Sequence, residues 1–569
     1  MVSEIKHLLD YAPSKEMLIL AEKKIAELES LKLFDSGCNL QLLLSLKVQL
    51  FLKQKKDKIK ELIYTAIDIT YEFFDENNFD STFLFLEEPD LIHSLALTYA
   101  ADGNLEIAIS LIKKILHGLE NALIDSESKE KKRTPVQLSL VNFLMEAGCY
   151  EEALEACIDG FHLSCRSDSG KYVPDFMYRQ AHCLYKLGKP EDIKRLLQCA
   201  YFGFIILHKK DEAFTIIKEA KEIFNVSFEL YGTDKLPIKP IVPVVKSYGK
   251  ALPCTGIGDF IKNVRESLNL TQEVLCYGLC SPPALSKIEK GKSYGNIFLV
   301  ETLMQRMGKH VNHYVTFFPS LDDFNLLEIR DKIVTLLVLH KYNEAEELLE
   351  DYKTLAGKDN LNKAIKKQFE FFVQATVMHG RKQRGEEYLD ILHKAINSTI
   401  PGFKESKIFN YRLSYIEIVL VHQLAMYHAI QSRSEVKRHG LFIWQSLIKN
   451  INSIDFDDDE KARMYENILY SYSKHLGLAK RYEESLEIIN EGESIARDFQ
   501  KLSSLPKFLV NRACNMLYNG QKKESLPCFA LAFYGSAIFS VYGMANNIFS
   551  TNKYVKEHFG IEMDYDIAP

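Results

Sequence analysis

Residues 271–292 hold a close set of hydroxyl, amide and amine side chains: Thr271, Gln272, Ser281, Ser286, Lys287, Lys290 and Lys292. Such a set can bind anions and hydrogen-bond the edges of flat polar groups. It lacks the acid–base pairing needed to make or break bonds. Thr271 is placed to cap a short helix through Glu273, Val274 and Leu275, and Ser281 to cap a second with Pro282 at its first position. Gly278 falls where the turn between them needs a permissive backbone. The second helix sends Leu285 and Ile288 inward and Ser286 and Lys287 outward. This is a helix-turn-helix layout, in which one exposed helix enters the major groove of DNA and its predecessor grips the backbone. Thr271, Gln272, Lys290 and Lys292 are the expected phosphate contacts, helped by the free N–H groups of a helix start. Pro282, Pro283 and Ala284 occupy the first turn and offer no side-chain donor or acceptor, so they are limited to thymine methyls. Specificity then leans on Ser286, Lys287, DNA shape and half-site spacing.

The module extends over Ile257–Tyr314. The Leu270-Thr271-Gln272-Glu273 start, the run from Leu285 to Lys292, and a following helix with Leu299, Leu303 and Met307 resemble the helix-turn-helix of phage-repressor-like (XRE-type) regulators. The resemblance implies a five-helix domain. It also implies that Gln272 braces the DNA backbone and that Arg265 and Glu289 tie the first helix to the recognition helix.

At 569 residues the chain has room for several domains. Its 47% hydrophobic and 26% charged residues are ordinary for a water-soluble protein. The net charge of −6 excludes a general polyanion binder, but residues 257–317 hold seven Lys/Arg against five acids, leaving +2 there and −8 elsewhere. No apolar run reaches the ~18–20 residues of a membrane span. The N-terminus has early acids and no apolar core, so it does not read as a signal peptide. Eleven Cys without a C-x-x-C pair fit small buried hydrophobes in a reducing cytoplasm. Cys276 and Cys280 lack partners for a zinc site, and His310 and His313 lack partners for any metal. The run from Asp455 to Lys461 lacks the glycine and final glutamate of a calcium loop. With no phosphate loop, nucleophile elbow or catalytic dyad, no enzyme and no cofactor are expected.

Elsewhere the pattern is amphipathic helix broken by short polar or glycine-containing turns. Gly148, Tyr150, Ala153, Cys157 and Gly160 have the spacing of tetratricopeptide repeats, as do Gly103, Leu105, Ala108 and Ile112, and Tyr342 with Ala345. Residues 150–223 also align with 482–555 at an offset of 332 without a gap. Pro174 meets Pro506, Phe176 meets Phe508, and Ala181, Gly188, Ala200, Gly203 and Ala213 meet Ala513, Gly520, Ala532, Gly535 and Ala545. We read an internal duplication and an all-α chain. A first array (1–230) precedes a linker with Pro237, Pro240, Pro243 and Pro253 (231–256), the helix-turn-helix domain (257–318) and a second array (325–569).

A helix-turn-helix followed by such an array resembles the peptide-responsive (RRNPP-like) quorum-sensing regulators of Gram-positive bacteria, with the first array as an addition. The resemblance implies a cytoplasmic homodimer on double-stranded DNA, controlled by a short signalling peptide or a protein in the concave face of the array. Asn511 and Asn515, set opposite Ala513, are the expected clamps for a peptide backbone, with Asn467 and Lys474 in the preceding repeat. The first copy has Arg179 and Cys183 at the places of the two Asn. The alternative is a repeat-based scaffold whose central module no longer binds DNA.

Overall fold

A computed structural model describes residues 2–10, 15–56, 59–79, 81, 87–121, 126–166, 170–237, 256–309, 321–357, 362–499, 501–539 and 545–563. Pro240, Pro243, Pro253, His310 and His313, and with them most of the expected linker, lie outside these residues. The described chain is all helical, with no strand among the described residues. No helix among them is long and apolar enough to cross a membrane.

The chain forms two compact units, one of Met1–Gly249 with Ala496–Pro569 and one of Lys250–Ile495. The packing boundary therefore falls inside the second copy of the duplication. The reason lies in the first unit, where the helices Leu505–Tyr518 and Lys522–Ile538 share one apolar core with the first copy. That core includes Phe202, Phe204, Leu505, Phe529 and Phe533.

Equivalent positions of the two copies do equivalent work here. Pro174 and Pro506 each lie in the first turn of a helix. A Cβ on Gly203 would stand 2.4 Å from Pro174 Cγ, and one on Gly535 3.2 Å from Pro506 Cγ. Each glycine lets its helix approach the proline-bearing helix of its own copy. Ala181, Ala513, Ala200 and Ala532 are fully buried. The copies then meet through counterparts: Phe202 stacks on Tyr534 at 3.9 Å between ring centroids and 2° between planes. Those positions are one offset of 332 residues apart.

The second unit begins with the helices Ile257–Ser267, Gln272–Cys276, Pro282–Glu289 and Ile297–Arg306. These are four of the five expected for the head, and residues 310–318 lie outside the described set. From Leu321 to Ile495 sequential helices pack in pairs, as a tetratricopeptide-like array requires. The helix Tyr415–Ala429 shows how local sequence sets such an element. Its backbone start at Ser414 donates to Glu417 Oε2 at 2.7 Å, the reach-back of a capping box.

Candidate nucleic-acid interface

The two motif helices start as their side chains dictate. Thr271 Oγ1 accepts from Val274 N at 3.3 Å, and Ser281 Oγ accepts from Ala284 N at 3.4 Å. Each bond satisfies one of the donors that a helix start leaves open. Gly278 has φ +70°, a conformation that costs a side-chain-bearing residue. On the inner side of the recognition helix Pro282–Glu289, Leu285 and Ile288 are buried. On the outer side Pro283 and Lys287 are exposed, with Pro282, Ala284 and Ser286 half-buried. Lys290 and Lys292 extend this exposed surface past the helix end, and Thr271 and Ser281 are exposed at the two helix starts.

The end of the recognition helix is fixed from within. Arg265 Nε donates to Glu289 Oε1 at 2.6 Å and Nη2 to Oε2 at 3.1 Å, a bidentate pair. The remaining Arg265 nitrogen donates to the Leu270 carbonyl at 2.7 Å. These bonds, Glu289's first, hold the guanidinium protonated more firmly than usual. Gln272 Nε2 donates to Glu289 Oε2 at 2.7 Å. In this structure its amide braces the ion pair, whereas the resemblance gave it the DNA backbone. Burial raises the thiols of Cys276 and Cys280, the latter to about 11. Both stay protonated, as small apolar groups do.

The head is seated on the array of its own unit by contacts that the sequence did not announce. Arg306, 1% exposed, donates Nη2 to Glu417 Oε1 at 2.6 Å and Nε to Oε2 at 3.3 Å. Its guanidinium also reaches the carbonyls of Leu275, Tyr277 and Thr399 at 3.2, 2.7 and 3.1 Å. Burial alone would raise Glu417. The Arg306 charge, with bonds from Arg306, Thr399 and Ser414, outweighs burial and holds it below the usual carboxylate range. Tyr277 Oη donates to the Pro401 carbonyl at 2.7 Å. A Cβ on Gly278 would stand 2.1 Å from Thr399 O, so the turn glycine is needed for contact as well as for conformation. Arg330 pairs with Glu301 at 2.7 Å, Lys309 with Asp457 at 3.0 Å, and Asp457 N donates to Gly308 O at 2.7 Å. Asp457 belongs to the acidic run set aside above as a calcium loop, and its carboxylate here holds a lysine of the head. Tyr294, in the same loop as Lys290 and Lys292, is 80% exposed.

The expected peptide clamps are divided. Asn467 and Lys474 are exposed on the helix Asp458–Leu478 of the second unit. Asn511 and Asn515 belong to the first unit and are 9% and 4% exposed. Their helix is buried on both faces, because Ala513 opposite them is also buried. The helix therefore packs against neighbours on two sides. Asn515 Nδ2 donates to the Asn511 carbonyl at 2.7 Å, while its buried Oδ1 has no hydrogen-bond partner among the described residues. Their first-copy counterparts differ. Arg179 bonds Asn142 and Asp175, and Cys183 is buried.

No protein-family model and no curated protein matches this sequence. Among solved structures, PlcR of Bacillus thuringiensis, in complex with the peptide PapR7 and DNA, is similar at 16% identity. The match covers 54% of this chain and 99% of that one, with a TM-score of 0.32. Apo ComR of Streptococcus vestibularis is similar at 17% identity over 53% and 98% of the two chains, TM-score 0.33. The APC/C hetero-tetramer Cut9–Hcn1 matches at 10% identity over 90% and 96%, TM-score 0.28. Identity and superposition this low leave function to the site itself.

Proposed function

We propose that this chain is a DNA-binding transcriptional regulator whose helical arrays take a short peptide or protein segment and thereby control the head. The observation that carries this reading is the two-sided recognition helix. Its inner side is held by Leu285, Ile288 and the Arg265–Glu289–Gln272 network, while Pro283 and Lys287 stand exposed with Lys290 and Lys292 beyond.

In this reading Lys287 and Ser286 read bases, the prolines meet thymine methyls, and Thr271, Ser281, Lys290 and Lys292 hold phosphates. Gln272 joins the phosphate contacts if DNA draws its amide from Glu289. The chain has one head, so a roughly palindromic operator calls for a homodimer. The buried, unpartnered Oδ1 of Asn515 supports a ligand in the first unit, since a peptide N–H would satisfy it. Asn511 would share that ligand, and exposed Asn467 and Lys474 would serve in the second unit.

The test is duplex selection with the full chain, followed by binding and salt-dependence measurements on two variants. Lys287→Ala should relax sequence preference. Lys292→Ala should weaken binding to every duplex and lower the salt slope by about 1. Unchanged binding by both variants would remove the head from DNA reading. The competing scaffold reading is favoured by the module's small net charge of +2. It predicts no selected duplex at all.

A further inference from the structure

Four helical segments of the second unit bring three imidazoles around one carboxylate. Glu405 opens the short 3-10 helix Glu405–Asn410, His393 lies on Glu386–Thr399, His428 on Tyr415–Ala429 and His439 on Ser434–Asn452. Donor atoms of Glu405, His428 and His439 all lie within 4.8 Å of one another. His428 Nε2 is 3.5 Å from Glu405 Oε2, His439 Nε2 bonds the same oxygen, and His393 Nε2 is 3.7 Å from Oε1.

We propose that Glu405, His428 and His439, with His393 as the fourth donor, bind a divalent transition-metal ion of the zinc class. Tetrahedral zinc with bonds of about 2.0–2.1 Å holds its donor atoms roughly 3.3 Å apart, so His439 and Glu405 would part slightly while His428 and His393 close in. Hydrogen bonding accounts for His439, which bonds Glu405, but less well for His428. Among the described residues the acceptor that His428 Nε2 faces is Glu405 Oε2, at a long 3.5 Å, and buried Nδ1 has no hydrogen-bond partner. A neutral imidazole there leaves an N–H unsatisfied, and a bare Nε2 lone pair would face a carboxylate. A cation between them accepts both lone pairs. The His428 and His439 rings meet edge to face at 82°, a contact that leaves both Nε2 atoms turned toward Glu405. Three nitrogens and one oxygen favour zinc, cobalt, nickel or copper over calcium or magnesium, which take oxygen. His439 and His393 are 41% and 38% exposed, which opens a path for the ion.

The position gives the ion a consequence. Thr399 and Pro401, whose carbonyls hold Arg306 and Tyr277 of the head, lie just before Glu405 in the chain. An ion at Glu405 would tie this segment to the helices on either side and stiffen the seat of the head. The site itself does not depend on whether the head reads DNA.

The test uses tag-free full-length protein, stripped with a chelator, dialysed and titrated with Zn²⁺ by calorimetry. A parallel titration with Co²⁺ is followed by visible absorption. One saturable equivalent is expected, with the intense Co²⁺ bands of tetrahedral coordination and a higher melting temperature on Zn²⁺ addition. His439→Ala, at a half-exposed position, should keep the metal-free melting temperature and weaken Zn²⁺ at least ~100-fold. His393→Ala should keep the equivalent but alter the Co²⁺ spectrum. Absence of a saturable equivalent in the wild type, or Zn²⁺ binding by His439→Ala equal to wild type, overturns the proposal.

Discussion

Arg265–Glu289 and Arg306–Glu417 are the same chemical pair in two regions of one unit. The first joins residues 24 apart inside the head, and the second joins residues 111 apart between head and array. Their side chains are 10% and 3% exposed in the first case, 2% and 0% in the second. The inner pair keeps two short helices together. The outer pair decides where those helices point. Arg306 also bonds three backbone carbonyls, so its buried charge is compensated from two elements at once. The difference teaches that the exposed helix and its mounting are held separately, and that the mounting has the costlier electrostatics.

The strongest way to break the comparison is Glu417→Ala. It leaves Arg306 charged and buried without its carboxylate and should cost about 3–5 kcal/mol. Urea unfolding followed through Trp444, the only tryptophan and fully buried in this unit, would read it. A loss under about 1 kcal/mol, the range of an exposed pair, would contradict the assigned role. Glu289→Ala should cost less, about 2 kcal/mol, because Arg265 keeps the Leu270 carbonyl and some solvent. If the two variants prove equal, the distinction between inner pair and seat collapses.

Gly278→Ala separates seat from head in another way. The left-handed backbone costs an alanine about 1–2 kcal/mol, and the new methyl meets Thr399 O. The expected result is a destabilised seat, read as faster amide exchange at residues 399–405. Exchange there that matches wild type would leave the glycine a purely local role.

Acid should weaken the array side. Burial lowers His422, His379 and His475 to about 3, 4 and 4, against 6.5 when unfolded. Between those values the unfolded chain binds protons that the folded chain refuses. Stability should therefore fall as pH drops below about 6.5, and be regained on returning to neutrality. His422 accepts the Trp444 indole N–H at 3.0 Å, so tryptophan fluorescence follows the change directly. Melting temperatures that stay level from pH 7 to 5 would refute it. The smallest stability effect is expected for Lys292→Ala, within about 0.5 kcal/mol, because the side chain is exposed. A larger loss would mean that Lys292 belongs to the mounting and not to the recognition surface.

Much of the head was legible because its determinants are local. A Thr or Ser before a helix, a glycine at the turn and apolar residues three apart act through backbone groups within one turn of the chain. Arg265 with Glu289 became legible only through a resemblance, since nothing in their spacing names a pair. The seat was half legible. Ser414 and Glu417 spell a capping box, yet that motif does not say that Glu417 is buried under an arginine from the head. The sequence set Ala513 against its repeat partner and Asn511 and Asn515 on the opposite face, but it could not tell that the Asn face would be buried as well.

The chain by itself determined the all-helical class, the caps and the turn, because hydrogen bonding within helices is written along one dimension. Only the tertiary structure decided that the end of the second copy packs on the first, with Phe202 against Tyr534. It alone brought Glu405, His428 and His439 together and set Arg306 over Glu417. Those contacts arise when amphipathic helices choose partners to bury their apolar faces. Many arrangements satisfy the same periodicity, and only packing and the pairing of buried charge select among them.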